Sequence, residues 1–167
     1  MVDAVDFESV LRSKRILNDL PTVTERYFDG RYVKEIQGKL AEEYVLFHSN
    51  RICVITLAPM HPILTEKKTI TSVDFKIGEV SRLQNQVSGK WKRGGQQLKQ
   101  HSPLCEIHCN DNSVYVVYSC VYGRLVEVNE NLLEKPHLLT EKTWSEGYIA
   151  VVLPPLGSSD VQKNALK

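Results

Sequence analysis

The stretch LCEIHCNDNSVYVVYSCVYGRLVEVNE, Leu104 to Glu130, decides the fold class of this chain. Its apolar runs are built from Val, Ile, Tyr and Cys, which suit a pleated and half-buried surface. Between the first two runs stands Asn110-Asp111-Asn112, and Asn and Asp tolerate positive φ and bond their own backbone. The spacing predicts a strand ending at Cys109, a tight turn, a second strand from Val114 to Val121, a step at Gly123 and a third strand from Arg124 to Val128. In the second strand both alternating sets are largely apolar: Val114, Val116, Tyr118 and Cys120, then Tyr115, Val117 and Val121. A strand with no face made for water alone belongs in a small sandwich or flattened barrel. Gly123 is expected where the backbone bends, or approaches a neighbour too closely for a Cβ.

Working outward, Tyr44–Phe47 and Arg51–Leu57 flank the turn residues His48-Ser49-Asn50 and predict a second hairpin, which Pro59 and Pro62 end by removing donors. Thr69 to Ile77 alternates with one slip of phase, as a bulged strand does. Residues 22–43 are polar and mixed, with Tyr27, Phe28 and Tyr32 as anchors. After Val128, Asn129 or Asn131 is placed to cap a short helix from Leu132 to Lys135. Ile149 to Leu153 predicts the last strand, stopped by Pro154-Pro155. The reading is a β domain over residues 22–154, an amphipathic helical extension over residues 1–21 and a flexible tail over residues 155–167.

The chain has 167 residues, 42% hydrophobic and 25% charged, with a net charge of +1. These values fit one soluble domain with no global field to draw it to nucleic acid or an anionic bilayer, so any such binding must come from a local patch. No apolar run approaches the roughly 20 residues of a membrane helix. Asp3, Asp6 and Glu8 stand where a secretory leader would be basic and then apolar, so neither a membrane span nor secretion is expected. Cys53, Cys105, Cys109 and Cys120 all fall in β-rich apolar runs and are read as reduced core residues.

The densest positive charge is Lys90, Lys92 and Arg93 around Trp91. Such a cluster can stack and neutralise a single nucleic-acid strand. It can equally meet an acidic protein face, or form a solvated turn whose Trp91 packs inward. Cys105 and Cys109, with His101 and His108 nearby, suggest zinc. On one strand, however, residues four apart are separated by about 13 Å, too far to share an ion or form a disulfide. No metal is therefore expected. The sequence contains no G-x-S-x-G, no phosphate loop and no H-E-x-x-H, so neither catalysis nor a bound cofactor is expected.

The order of a basic Lys92-Arg93-Gly94-Gly95 turn, a hairpin and a strand–glycine–strand step resembles the single-hybrid-motif fold of biotinyl and lipoyl carrier domains. Ser119 to Glu130, Lys135-Pro136 and Glu146-Gly147-Tyr148 are similar to the glycine-cleavage H protein. The implied fold is a mainly β barrel-sandwich hybrid with short flanking helices. In the carriers the modified lysine sits at the hairpin tip, eleven residues before the glycine, and here that position holds Asn112. Asn has no amine to form the amide, and neither Asp111 nor Ser113 can substitute for it. The resemblance thus implies a carrier scaffold without its attachment point, with a carrier that uses another lysine as the alternative.

A narrower resemblance runs through Arg26-Tyr27-Phe28, His48 to Ala58, Ser81 to Asn85, Val87 to Lys90, Lys92 to Gly94 and Glu146 to Pro154. These words are similar to the Abitram family of actin-binding transcription modulators, grouped with the H-protein superfamily. The resemblance implies a non-catalytic protein of nucleus and cytoplasm that binds monomeric or filamentous actin and modulates its dynamics. It also implies association with nuclear transcription or splicing-speckle components. No membrane partner is implied, and nucleic-acid binding through the Lys90–Arg93 cluster stays open.

Overall fold

The computed structural model describes residues 26–36, 38–90 and 92–166. The helical extension expected over residues 1–21 lies outside them, as does Trp91. Among the described residues the chain is mainly β, with a six-stranded antiparallel sheet, a three-stranded sheet and a two-stranded ribbon.

The large sheet contains β1 (Phe28–Ile36), β2 (Lys39–His48), β3 (Cys53–Leu57), β7 (Gln97–Leu98), β10 (Gly123–Val128) and β11 (Ala150–Leu153), in the order β1-β2-β3-β11-β10-β7. The small sheet is β4 (Ile70–Asp74), β8 (Pro103–Cys109) and β9 (Val114–Tyr118), in the order β4-β8-β9. The ribbon pairs β5 (Lys76–Ile77) with β6 (Val80–Ser81). Val45, Ile55, Leu57, Leu125 and Val152 of the large sheet belong to the same buried cluster as Val73, Cys105, Ile107 and Val117 of the small one. The two sheets therefore share one core, which is the barrel-sandwich arrangement expected from the sequence.

β3 sits between β2 and β11 in the large sheet and is the most completely buried strand, because Cys53, Ile55, Thr56 and Leu57 leave no polar face to wet. The Thr56 hydroxyl keeps its hydrogen bond by donating to the carbonyl of Thr143. The expected slip in the strand after Thr69 is a bulge in β4, between Ile70 and Ser72, where it pairs with β8.

Four expectations need correction. Residues 28–43 form β1 and the first part of β2, whose polar side chains had hidden a long hairpin. The strand from Val114 stops at Tyr118, and Cys120 takes φ +64, which breaks the ladder. Asn129 does not cap a helix: its Nδ2 donates to the carbonyls of Glu146 (2.7 Å) and Tyr148 (2.8 Å), while α2 (Asn131–Glu134) has no side-chain cap. The segment 155–167, expected to be flexible, carries a helix over Ser159–Ala165.

That helix is fastened by Gln162, a buried polar side chain. Its Oε1 accepts the Tyr122 N–H at 2.8 Å and its Nε2 donates to the Tyr122 carbonyl at 3.0 Å, so one amide satisfies both backbone groups of a residue between strands. Two further short helices stand before it, α1 (Pro62–Thr65) after β3 and α3 (Leu138–Glu141) after α2, and the C-terminal helix is α4. Among the described residues no helix is long and apolar enough to cross a membrane.

Candidate partner-binding surface

The β8–β9 hairpin places Asn110, Asp111 and Asn112 at an exposed tip. Asn112 adopts φ +64, a conformation that Asn reaches more readily than most residues. The Cys109 N–H donates to the Ser113 carbonyl (3.0 Å) and the Asn112 N–H to the Cys109 carbonyl (3.2 Å), which closes the turn. Asp111 Oδ1 accepts the Ser113 N–H at 3.1 Å, and the Asn110 N–H ties the tip to the Thr69 carbonyl at 3.0 Å. The tip expected from the resemblance to match the carrier lysine is a well-formed corner, and Asn112 places a carboxamide on it.

A lysine does lie beside this corner. Lys68 Nζ is 2.8 Å from Asp111 Oδ2 and 3.2 Å from Glu66 Oε2. Hydrogen bonding to Asp111 is the chief cause that raises the Lys68 ammonium above its ordinary range, and the same bond is the chief cause that holds the Asp111 carboxyl below its own. Lys68 stands beside the corner in an ion pair with Asp111, and not at the hairpin tip itself.

The basic cluster forms a tight reversal. Ser88 and Arg93 exchange backbone hydrogen bonds at 2.9 and 3.0 Å, and the Lys92 N–H reaches the Gly89 carbonyl at 3.1 Å. Gly89 and Lys92 both take positive φ, +69 and +52. Lys90 and Arg93 are exposed and Lys92 is half-buried, so cationic side chains do stand on the surface here. The role expected of Trp91 falls outside the described residues.

Arg93 joins two arginines that the sequence reading did not single out, Arg51 and Arg124, in lining a cleft of about 430 Å³. Arg51 comes from the β2–β3 turn, Arg93 from the basic reversal and Arg124 from the start of β10. No sequence spacing signals their convergence, because the order of strands in the large sheet produces it.

The four cysteines are free and buried. Burial raises the Cys53 thiol to about 12 and pushes Cys105 and Cys120 up as well, so these groups are poor nucleophiles and poor metal ligands. Cys105 and Cys109 lie on the single strand β8, as the spacing argument requires. Among the described residues no three His, Cys, Asp or Glu side chains converge as a metal site would need.

Sequence reasoning also missed Glu43. It is only 2% exposed on β2, and its Oε1 accepts the Tyr118 N–H of β9 at 2.9 Å, joining the two sheets. Its Oε2 takes no hydrogen bond, the Cys120 thiol donating instead to the Tyr118 carbonyl at 3.4 Å. Burial, the largest influence, raises the Glu43 carboxyl to about 7. A glutamate in an alternating strand usually marks the wet face, so no pattern in the sequence reveals it.

Comparison with known proteins agrees with this geometry. The glycine cleavage H-protein family profile matches residues 61–166. Protein Abitram of Homo sapiens is 54% identical over 142 residues, covering 84% of this chain and 78% of that protein. Protein Abitram of Xenopus tropicalis is 52% identical over 145 residues, covering 86% and 79%. Among solved structures, a glycine cleavage system H protein from Mycobacterium marinum superposes with a TM-score of 0.51 at 14% identity, over 83% of this chain and 98% of that one. That structural likeness concerns the fold alone.

Proposed function

The chain belongs to the Abitram family and shares the glycine cleavage H-protein domain, and from that premise we propose a non-catalytic interaction protein that binds actin, modulates its dynamics and influences transcription. The observation that carries the non-carrier half of this reading is the occupant of the hairpin tip. Asn112 offers no amine, and the neighbouring Lys68 is held in its ion pair with Asp111. What remains on such a scaffold is surface. The actin and transcription half, with residence in nucleus and cytoplasm, is supported by the resemblance of nearly all of residues 24–154 to the Abitram family.

The exposed cations of the Lys90–Arg93 reversal suit the acidic side of a protein partner, because surface charge of opposite sign speeds encounter and fixes orientation. Sedimentation with actin filaments, together with a polymerisation assay on monomers, tests the reading. The protein is expected to pellet with filaments or to change the polymerisation rate, and the Lys92→Glu/Arg93→Glu double variant should lose most of that effect. No interaction with either form of actin would remove the proposal. Tight binding to a single-stranded oligonucleotide without actin binding would replace it with a nucleic-acid role.

A further inference from the structure

We propose that the cleft lined by Arg51, Arg93 and Arg124 is a docking site for an acidic peptide segment that also carries an apolar side chain. Three arginines from three separate segments line one cleft, in a chain whose net charge is only +1. The other lining residues are Gln97, Gly123 and the run from Leu153 to Leu156, so no acidic side chain among the described residues lines it. Guanidinium forks match carboxylates in a planar, two-bonded geometry, which a lysine cannot reproduce.

The backbone is shaped to hold this arrangement. Arg51 takes φ +83, a left-handed region that is strained for a non-glycine residue. Glycine would relieve that strain, yet an arginine stands there. The turn enforces the conformation through the Arg51 N–H to the His48 carbonyl (2.9 Å) and the Asn50 Oδ1 accepting the Ile52 N–H (3.2 Å). Arg51 and Arg124 each also interact within the chain, so a ligand would add to contacts they already make.

The rim of the cleft supplies an apolar contact. Leu156 is 78% exposed and follows Pro154 and Pro155, giving a small hydrophobic shelf beside the cations. A nucleic-acid strand would want aromatic rings there, and none of the described lining residues is aromatic. An acidic-apolar peptide satisfies both the guanidinium groups and the shelf. The inference stands whether or not actin is the physiological partner.

Fluorescence anisotropy with the full chain and a labelled peptide of repeated Asp-Glu-Leu tests it. Parallel arms use a Lys-Lys-Leu peptide, an Asp-Glu-Gly peptide and a labelled oligothymidylate. The acidic-apolar peptide should bind tightest, and Arg51→Gly or Arg93→Glu should each weaken it about tenfold, the scale of one lost charge-assisted contact. Glycine accepts the φ of +83, and thermal melting of Arg51→Gly beside the parent separates lost binding from lost folding. Equal affinity in the parent and in both variants would overturn the proposal. So would an oligothymidylate that outcompetes the peptide, or an Asp-Glu-Gly peptide that binds equally well.

Discussion

Two buried groups make stability depend on pH in opposite directions. Glu43 moves from an ordinary carboxylate value of 4.5 to about 7 through burial. It binds its proton more tightly folded than unfolded, so its contribution is complete below about pH 4.5 and is lost as the pH rises through about 7. His61 moves from 6.5 to about 4, also through burial, and its Nδ1 accepts the Ile63 N–H at 3.1 Å. Its contribution is complete above about pH 6.5 and is lost as the pH falls through about 4. Each shift corresponds to about 3 kcal/mol, and the two nearly cancel between those limits. Urea titrations at pH 5 and pH 8 separate them: Glu43→Gln should gain stability at pH 8 relative to the parent, whereas His61→Asn, which keeps an acceptor at the cap, should gain at pH 5. Parallel pH profiles for parent and Glu43→Gln would show that the carboxyl is not protonated in the fold.

Gly123 is a second test at this scale, and the reason for the glycine differs from one of the two the sequence allowed. Its φ is not positive; a Cβ would sit 2.5 Å from the Leu153 oxygen and 2.9 Å from the Pro154 Cα. Both are backbone atoms, so there is little room to yield. Gly123→Ala should cost about 1–3 kcal/mol, as overpacking does, and its thermal midpoint should fall. An unchanged midpoint would mean that β10 and β11 can part without penalty. The close approach was legible from strand, glycine and strand in sequence, but the atom that closes on Gly123 comes from a strand some thirty residues away.

At the level of elements, the hairpins were legible wherever turn residues stood between apolar runs, as at His48–Asn50 and Asn110–Asn112. β1 was not legible because it sits at the edge of the sheet, where Asp29, Arg31 and Glu35 cost nothing in water. α4 was not legible because a short Gly-Ser-Ser-Asp-led segment has little propensity of its own. Tertiary contacts hold it, through Gln162 and through Lys163, whose Nζ lies 3.5 Å from Asp29 Oδ2. Gln162→Ala would leave the N–H and carbonyl of Tyr122 without their partner, a loss of about 1–3 kcal/mol. Hydrogen exchange should then accelerate across Ser159–Ala165 and at Tyr122, while β3 stays protected. Unchanged exchange in the helix would show that another contact fastens it.

For the molecule as a whole, the scaffold could be read from sequence because its signals are local: a turn, a hairpin tip and a glycine eleven residues on. The basic reversal was legible as a cluster, but the cleft it helps to form was not, since Arg51, Arg93 and Arg124 are far apart in the chain. A surface assembled by strand order leaves no periodic trace. This is the general difficulty for a carrier-like fold that binds through its faces: the chemistry of one lysine is written in a motif, whereas a docking surface is distributed. The most direct test is the intact mass of the purified chain after incubation with lipoate, ATP and a lipoyl ligase. The account predicts an unchanged mass, and the addition of one lipoyl group to any lysine would contradict it.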